Sequence, residues 1–146
     1  MSYNNKVSNN YLEQEIRSED PLALTARVYR MACADVTRAR NALRAGNMAA
    51  KGAAVHRASR CIALLQSWLD LDRGGEVALN LDRLYGYFQR RLTEAHLDNS
   101  DEAFAEVQNH LEELGGAWQT VAGRSRQAVP PGATPETPAA PVEAAR

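Results

Sequence analysis

Cysteine and proline are scarce along most of this chain, net charge is close to zero, and long apolar runs and catalytic motifs are missing altogether. Each absence removes a class of protein. The two cysteines, Cys33 and Cys61, form no CxxC pair and no disulfide-like framework, and both fall inside expected amphipathic helices. They read as small buried apolar side chains in a reducing compartment. No window approaches the ~18 to 20 consecutive apolar residues that a membrane span needs. The N-terminal MSYNNKVSNNYLEQE lacks the apolar centre of a signal peptide. The expectation is a cytoplasmic protein with no membrane insertion. Lys and Arg number 17 against 18 Asp and Glu, a formal net charge of -1. With basic residues interleaved among acids, nucleic acid is not an expected partner. The local groups Arg38, Arg40, Arg44 and Arg90, Arg91 are read as solvated helix faces.

Catalytic chemistry is absent in the same way. A helical bundle could house a di-iron site, but that needs inward Glu residues and a Glu-x-x-His pair on each of two helices. The chain has no Glu-x-x-His; Glu94 and His96 point to different helix faces, and Glu106 with His110 has the i, i+4 spacing of a solvent-facing pair. The three histidines, His56, His96 and His110, lie on three different helices outside the main apolar stripes, where boundary or surface positions are expected rather than metal ligation. No GxGxxG, Walker-type loop, nucleophile elbow or HExxH motif occurs. No catalytic residue, metal site or cofactor is expected, and the chain is not read as an enzyme.

What is present is helical periodicity. At 146 residues and 45% hydrophobic, the chain suits one compact domain. Residues 1–19 are rich in Asn and Ser and are expected to be flexible, with Val7, Tyr11, Leu12 and Ile16 forming at most a short helical segment. A first long helix should begin at Pro21 behind Asp20 as its N-cap, with the stripe Leu24, Val28, Ala32, Val36, Ala39, Leu43, and stop at Gly46 and Asn47. The second, about 48–71, carries one stripe at Val55, Ala58, Ile62, Leu65, Leu69 and another at Cys61, Leu64, Trp68, Leu71. Two stripes make a broad face, which either buries against two neighbours or leaves one side to a partner. After Gly74 and Gly75 a third helix, about 76–97, runs on Val77, Leu81, Leu84, Phe88, Leu92 and Ala95. A fourth, capped by Asn99 and Ser100, follows Phe104, Val107, Leu111, Leu114, Trp118 and Val121. The short connections permit only antiparallel neighbours. The fold class is therefore all-α, an antiparallel four-helix bundle over 20–124. Five of the six prolines lie between Pro130 and Pro141, so 125–146 is expected to be a disordered Pro/Ala-rich tail.

Several residues of the third helix exceed what packing demands: Asn80 with Leu81, Leu84 with Tyr85 and Tyr87, and Arg90, Arg91, Leu92. With the Asp-Pro start of the first helix, Lys51 and Gly52 in the second and Trp118 in the fourth, they resemble the flagellar secretion chaperone FliS family, over about residues 11–121. Gly86 and His96 depart from the family's more usual Asp and Asn. The resemblance implies a cytoplasmic export chaperone that holds the C-terminal segment of flagellin, blocks its premature polymerisation and delivers it to the export apparatus, with the export gate as a further implied partner and no nucleotide or metal required. It places the partner-binding groove on the second and third helices, at Ile62, Leu65, Asn80, Leu81, Leu84, Tyr85, Phe88 and Arg91, with Tyr11 and Ile16 folding over it when empty. For Tyr85 and Phe88, burial in the core is the competing reading. A generic helical-bundle adaptor or dimerisation module is the alternative function, favoured if the helix faces prove fully buried. The composition of the tail adds one expectation. Truncation from about Gln127 should leave the thermal midpoint and flagellin binding unchanged, and a midpoint lowered by several degrees would show that the tail packs on the bundle.

Overall fold

The first 24-residue helix owes its start to two neighbouring residues. Asp20 Oδ1 accepts from the Leu22 N–H at 3.2 Å, and Pro21 occupies the first turn, where its missing donor is no loss. In the computed structural model, which describes residues 20–128 with side chains to Arg124, this helix is α1, Pro21–Arg44. It is followed by α2 (Met48–Ser67), α3 (Gly75–Asp98) and α4 (Asp101–Ala128). No strand occurs among the described residues, and no described helix is long and apolar enough to cross a membrane. The expectations for 1–19, including Tyr11 and Ile16, and for 129–146 lie outside the described residues.

Three junctions set the topology. Gly46, at φ +72°, takes the left-handed conformation that closes the α1–α2 turn, and Asn47 then caps α2 by accepting from the Ala50 N–H. Helix α2 ends at Ser67, four residues before the Leu71 expected from the periodicity. The Asp70 carboxylate accepts from the N–H groups of Asp72 and Arg73, offering the chain a turn that competes with another helical one. At the far end of α3, Asn99 adopts φ 52° and Ser100 Oγ accepts from the Ala103 N–H to start α4. Helix α4 continues to Ala128, past the expected end near Val121 and into the first residues assigned to the tail.

Paired residues show α1 antiparallel to α4 and α2 antiparallel to α3, and the short turn at 45–47 reverses the chain between α1 and α2, which lie in extensive contact. Cys33 meets Gln108 and Arg40 meets Asp101 across α1 and α4, while Ser59 meets Gln89 and Gln66 meets Asp82 across α2 and α3. Helix α1 lies between α2 and α4 in extensive contact; α3 closes the opposite corner against the same two helices more sparingly. Small residues make the close seams possible. Ala26, Ala32, Ala39, Ala54 and Ala58 are buried, and a Cβ on Gly115 would stand 3.1 Å from the Tyr29 Cβ. The core is filled by Tyr29, Ile62, Leu65, Tyr85, Phe88, Leu92, Phe104, Val107 and Leu111. Val77, expected in the core stripe of the third helix, is instead 44% exposed, because the buried line of α3 runs through Ala78, Tyr85, Leu92 and Ala95.

One buried cation pins the end of the bundle. Lys51 is only 3% exposed, and its ammonium donates to the His96 carbonyl at 2.9 Å and to Asn99 Oδ1. It thus satisfies a carbonyl in the last turn of α3, at the end of the helix dipole that favours positive charge. The His96 ring packs beside Gly52, its Cε1 at an ordinary contact distance of 3.6 Å from where a Cβ would stand. Replacing Lys51 with Met keeps the aliphatic stem and removes the charged donor. The expected loss is about 1.5–3 kcal/mol, the range for hydrogen bonds to charged groups. A urea midpoint unchanged within error would mean that water replaces the ammonium without penalty.

Candidate functional site

The cysteines, two buried tyrosines and two carboxylates of this bundle are moved away from neutrality by their surroundings. Burial raises the Cys33 thiol to about 11, with Glu112 adding to the effect, and raises Cys61 as well, so both stay protonated. Burial likewise raises Tyr29 and Tyr85, whose hydroxyls bond to each other. Glu106 is held below the usual carboxylate range, first by the Tyr87 hydroxyl and then by the Arg91 guanidinium, and Asp101 is held low by Arg40. Among the described residues no three His, Cys, Asp or Glu side chains gather as a metal site. A depression of about 220 Å³ between α1 and α4, with Tyr29, Cys33, Gly115 and Gly116 on its walls, is smaller than the ~300–1,000 Å³ typical of ligand pockets. What the surface does offer is exposed apolar area.

The residues expected to form a groove do not come together on one surface. Ile62, Leu65, Tyr85 and Phe88 are buried in the core, so the competing reading of Tyr85 and Phe88 as core residues is the one the structure adopts. The physical reason is the Tyr29–Tyr85 hydroxyl pair, which needs both rings inside, and the packing of Phe88 against Tyr85, with ring centroids 6.5 Å apart. Asn80 is exposed. Leu81 and Leu84 are half-buried against the core. Arg91 is engaged with Glu106 at 2.6 Å and Glu94 at 3.0 Å. Since Tyr87 and Arg91 both reach Glu106, the helical rows of Asn80–Tyr87 and Leu84–Arg91 face α4. They therefore lie away from the outer face of α2. The seam between α2 and α3 is polar, closed by Ser59 with Gln89 and Gln66 with Asp82.

The second stripe of α2 behaves differently. Cys61 is buried at its base, Trp68 is half-buried, and Leu64 and Leu71 are 39% and 49% exposed. Its direction follows from an ion pair: Arg57 Nε donates to Asp35 Oδ1 at 3.2 Å, so Arg57 faces α1 and Asp35 faces α2. Residues four, seven and eleven positions beyond Arg57 share its face, and these are Cys61, Leu64 and Trp68. Residues four, seven and eleven positions before Asp35 share its face on α1, and these are Met31, Val28 and Leu24. Because the helices are antiparallel, the two rows run side by side. Val28 and Cys61 form the buried floor, Leu24 and Trp68 are half-buried walls, and Met31, 49% exposed, stands with Leu64 at the rim, while Leu71 lies in the turn beyond the end of α2. Periodicity had singled out the α2 half of this surface; the α1 half was hidden, since Met31 falls off the dominant stripe of its helix.

This placement separates surface from core in a measurable way. Ile62→Ala should lower stability by about 2–5 kcal/mol, the range for removing a fully buried aliphatic side chain. Leu64→Ala, two residues away, should cost less than about 1 kcal/mol. Equal shifts in the urea midpoint would place Leu64 in the core and remove the apolar seam.

Comparison with known proteins completes the description. The flagellar protein FliS family matches residues 3–125. The chain is similar to the flagellar secretion chaperone FliS of Salmonella typhimurium, 35% identical over 115 residues that cover 78% of this chain and 85% of the relative. It is similar to the chaperone FliSB of Pseudomonas aeruginosa at 32% identity, covering 75% and 87% of the two chains. The FliS of Campylobacter jejuni is 30% identical over 118 residues, covering 81% and 92%.

Proposed function

The chain belongs to the FliS family, whose members are flagellar secretion chaperones and not enzymes, and from that premise we propose that it is a cytoplasmic chaperone for the C-terminal segment of flagellin. It holds that segment before export, blocks premature polymerisation and hands it to the export apparatus. The observation that carries the reading is the unpartnered apolar seam of Met31, Leu64 and Trp68 between α1 and α2, with the exposed Leu71 in the turn that follows α2. A helix that lays its apolar face into such a seam buries the surface through which it would otherwise self-associate. Ordering an unstructured segment opposes binding, so net affinity stays below what the buried area suggests and release needs no chemical step.

The seam also suits the adaptor or dimerisation reading, in which a second copy of the chain covers the same leucines. Titration calorimetry with the isolated flagellin C-terminal segment separates the two. The expected result is a one-to-one complex whose far-ultraviolet circular dichroism shows more helix than the sum of its parts. Leu64→Glu and Leu71→Glu should each weaken it by about 1–3 kcal/mol while the free protein keeps its native spectrum. Absence of heat and of added helix with folded protein would remove the chaperone reading. Self-association abolished by Leu64→Glu would put the dimerisation module in its place.

A further inference from the structure

The formal charge of -1 conceals an uneven distribution. Between 21 and 67, the two helices that form the apolar seam carry eight Lys or Arg and one carboxylate, Asp35. Between 75 and 124, α3 and the described part of α4 carry nine Asp or Glu against four Arg. Part of the first group is engaged elsewhere. Arg40 and Arg44 bond Asp101, and Lys51 is buried at the end of α3. Three of the remaining guanidiniums edge the seam. Arg38 and Arg57 share the single Asp35 carboxylate, at 2.8 and 3.2 Å, with their side chains 63% and 51% exposed. Arg60 is exposed, carries no ion pair among the described residues, and lies one helical turn from Leu64 on the same face.

Resting on the reading of this seam as a docking surface, we propose that its occupant is an amphipathic helix whose apolar face is edged with carboxylates, and that Arg38, Arg57 and Arg60 select it. All three cations of this rim are arginines. The planar fork of arginine matches carboxylates with paired donors, as Arg40 shows on Asp101, donating to Oδ1 at 2.8 Å and to Oδ2 at 3.1 Å. Two cations around one carboxylate leave unsatisfied donors that a docked acidic edge would complete. A second copy of the chain presenting its acidic α3–α4 side would satisfy the charges as well. That contact is heterologous, however, and grows into open chains rather than closing on itself. An anionic lipid surface answers the charge but not the shape, because the apolar residues line a seam between two helices instead of one convex face.

The test uses the full chain and two designed helical peptides with identical Leu and Met faces, one edged with Glu and the other with Lys. Fluorescence anisotropy in about 50 mM salt should give at least roughly tenfold tighter binding for the Glu peptide, a preference that shrinks in about 0.5 M salt as screening sets in. Arg60→Glu, on the exposed face, should reduce the preference several-fold, and the salt series on the unaltered protein probes the same charges without any substitution. Equal binding of the two peptides, binding of neither, or a preference insensitive to salt overturns the proposal. Flagellin-segment binding lost in Leu64→Glu but untouched by salt and by Arg60→Glu would also overturn it, leaving the docking reading intact. Stronger binding to phosphatidylglycerol vesicles than to the Glu peptide would replace it with a lipid surface. Mass that grows with protein concentration would replace it with self-assembly.

Discussion

Two tyrosine hydroxyls meet in the middle of the bundle, and the orientation of the helices follows from that meeting. Tyr29 on α1 and Tyr85 on α3 are diagonal partners, each buried, each with a phenol that would be penalised if left unpaired. They satisfy one another. For Tyr85 to reach inward, α3 must turn the line Ala78, Tyr85, Leu92 to the core and Val77 to solvent. For Tyr29 to fit, α4 must present Gly115 where any side chain would press on the Tyr29 Cβ. A single buried polar contact therefore fixes the rotation of one helix and the composition of another. Apolar packing alone tolerates several rotations and gives no such selection.

How much of this was legible from residue order depended on where each signal is stored. Helix starts are written locally: Asp20 with Pro21, and Ser100 before Asp101, name their own termini. The stripe of α4 at Phe104, Val107, Leu111 and Trp118 is likewise buried as its spacing predicts. Buried polar residues are written non-locally. Nothing near Lys51 in sequence reveals that its partner is the last turn of α3, and nothing near Asp35 reveals Arg57. Whether Tyr85 and Phe88 belong to core or groove was open in the sequence for a related reason. Aromatic enrichment marks both cores and binding surfaces, and only the diagonal contact to Tyr29 decides between them. The family itself was legible, but from the side-chain pattern of the third helix and not from periodicity, which any four-helix bundle shares.

Charge and packing are coupled through α1 and α2. On the acidic half of the molecule, Glu106 is taken by Tyr87 and Arg91 and Asp101 by Arg40, so those carboxylates are already held. On the basic half a single carboxylate serves two guanidiniums. The bundle thus holds Glu106 and Asp101 in place on one side and is under-supplied with acid on the other. Fold stability does not require such an imbalance, since interleaved charges would solubilise the surface equally well.

The location of the apolar seam follows from the same alanines that make the fold tight. Helices brought close by Ala26, Ala32, Ala39, Ala54 and Ala58 leave no volume between their backbones for large side chains. Met31, Leu64 and Trp68 sit on the shoulders of that contact, where the helix surfaces diverge, so they are displaced outward instead of absorbed. Enlarging an interior alanine to recover this area would push α1 and α2 apart and strain the Tyr29–Tyr85 pair behind them. Close packing inside and exposed apolar side chains outside are therefore two consequences of one choice of residue size. A protein built this way presents an apolar edge without loosening its core.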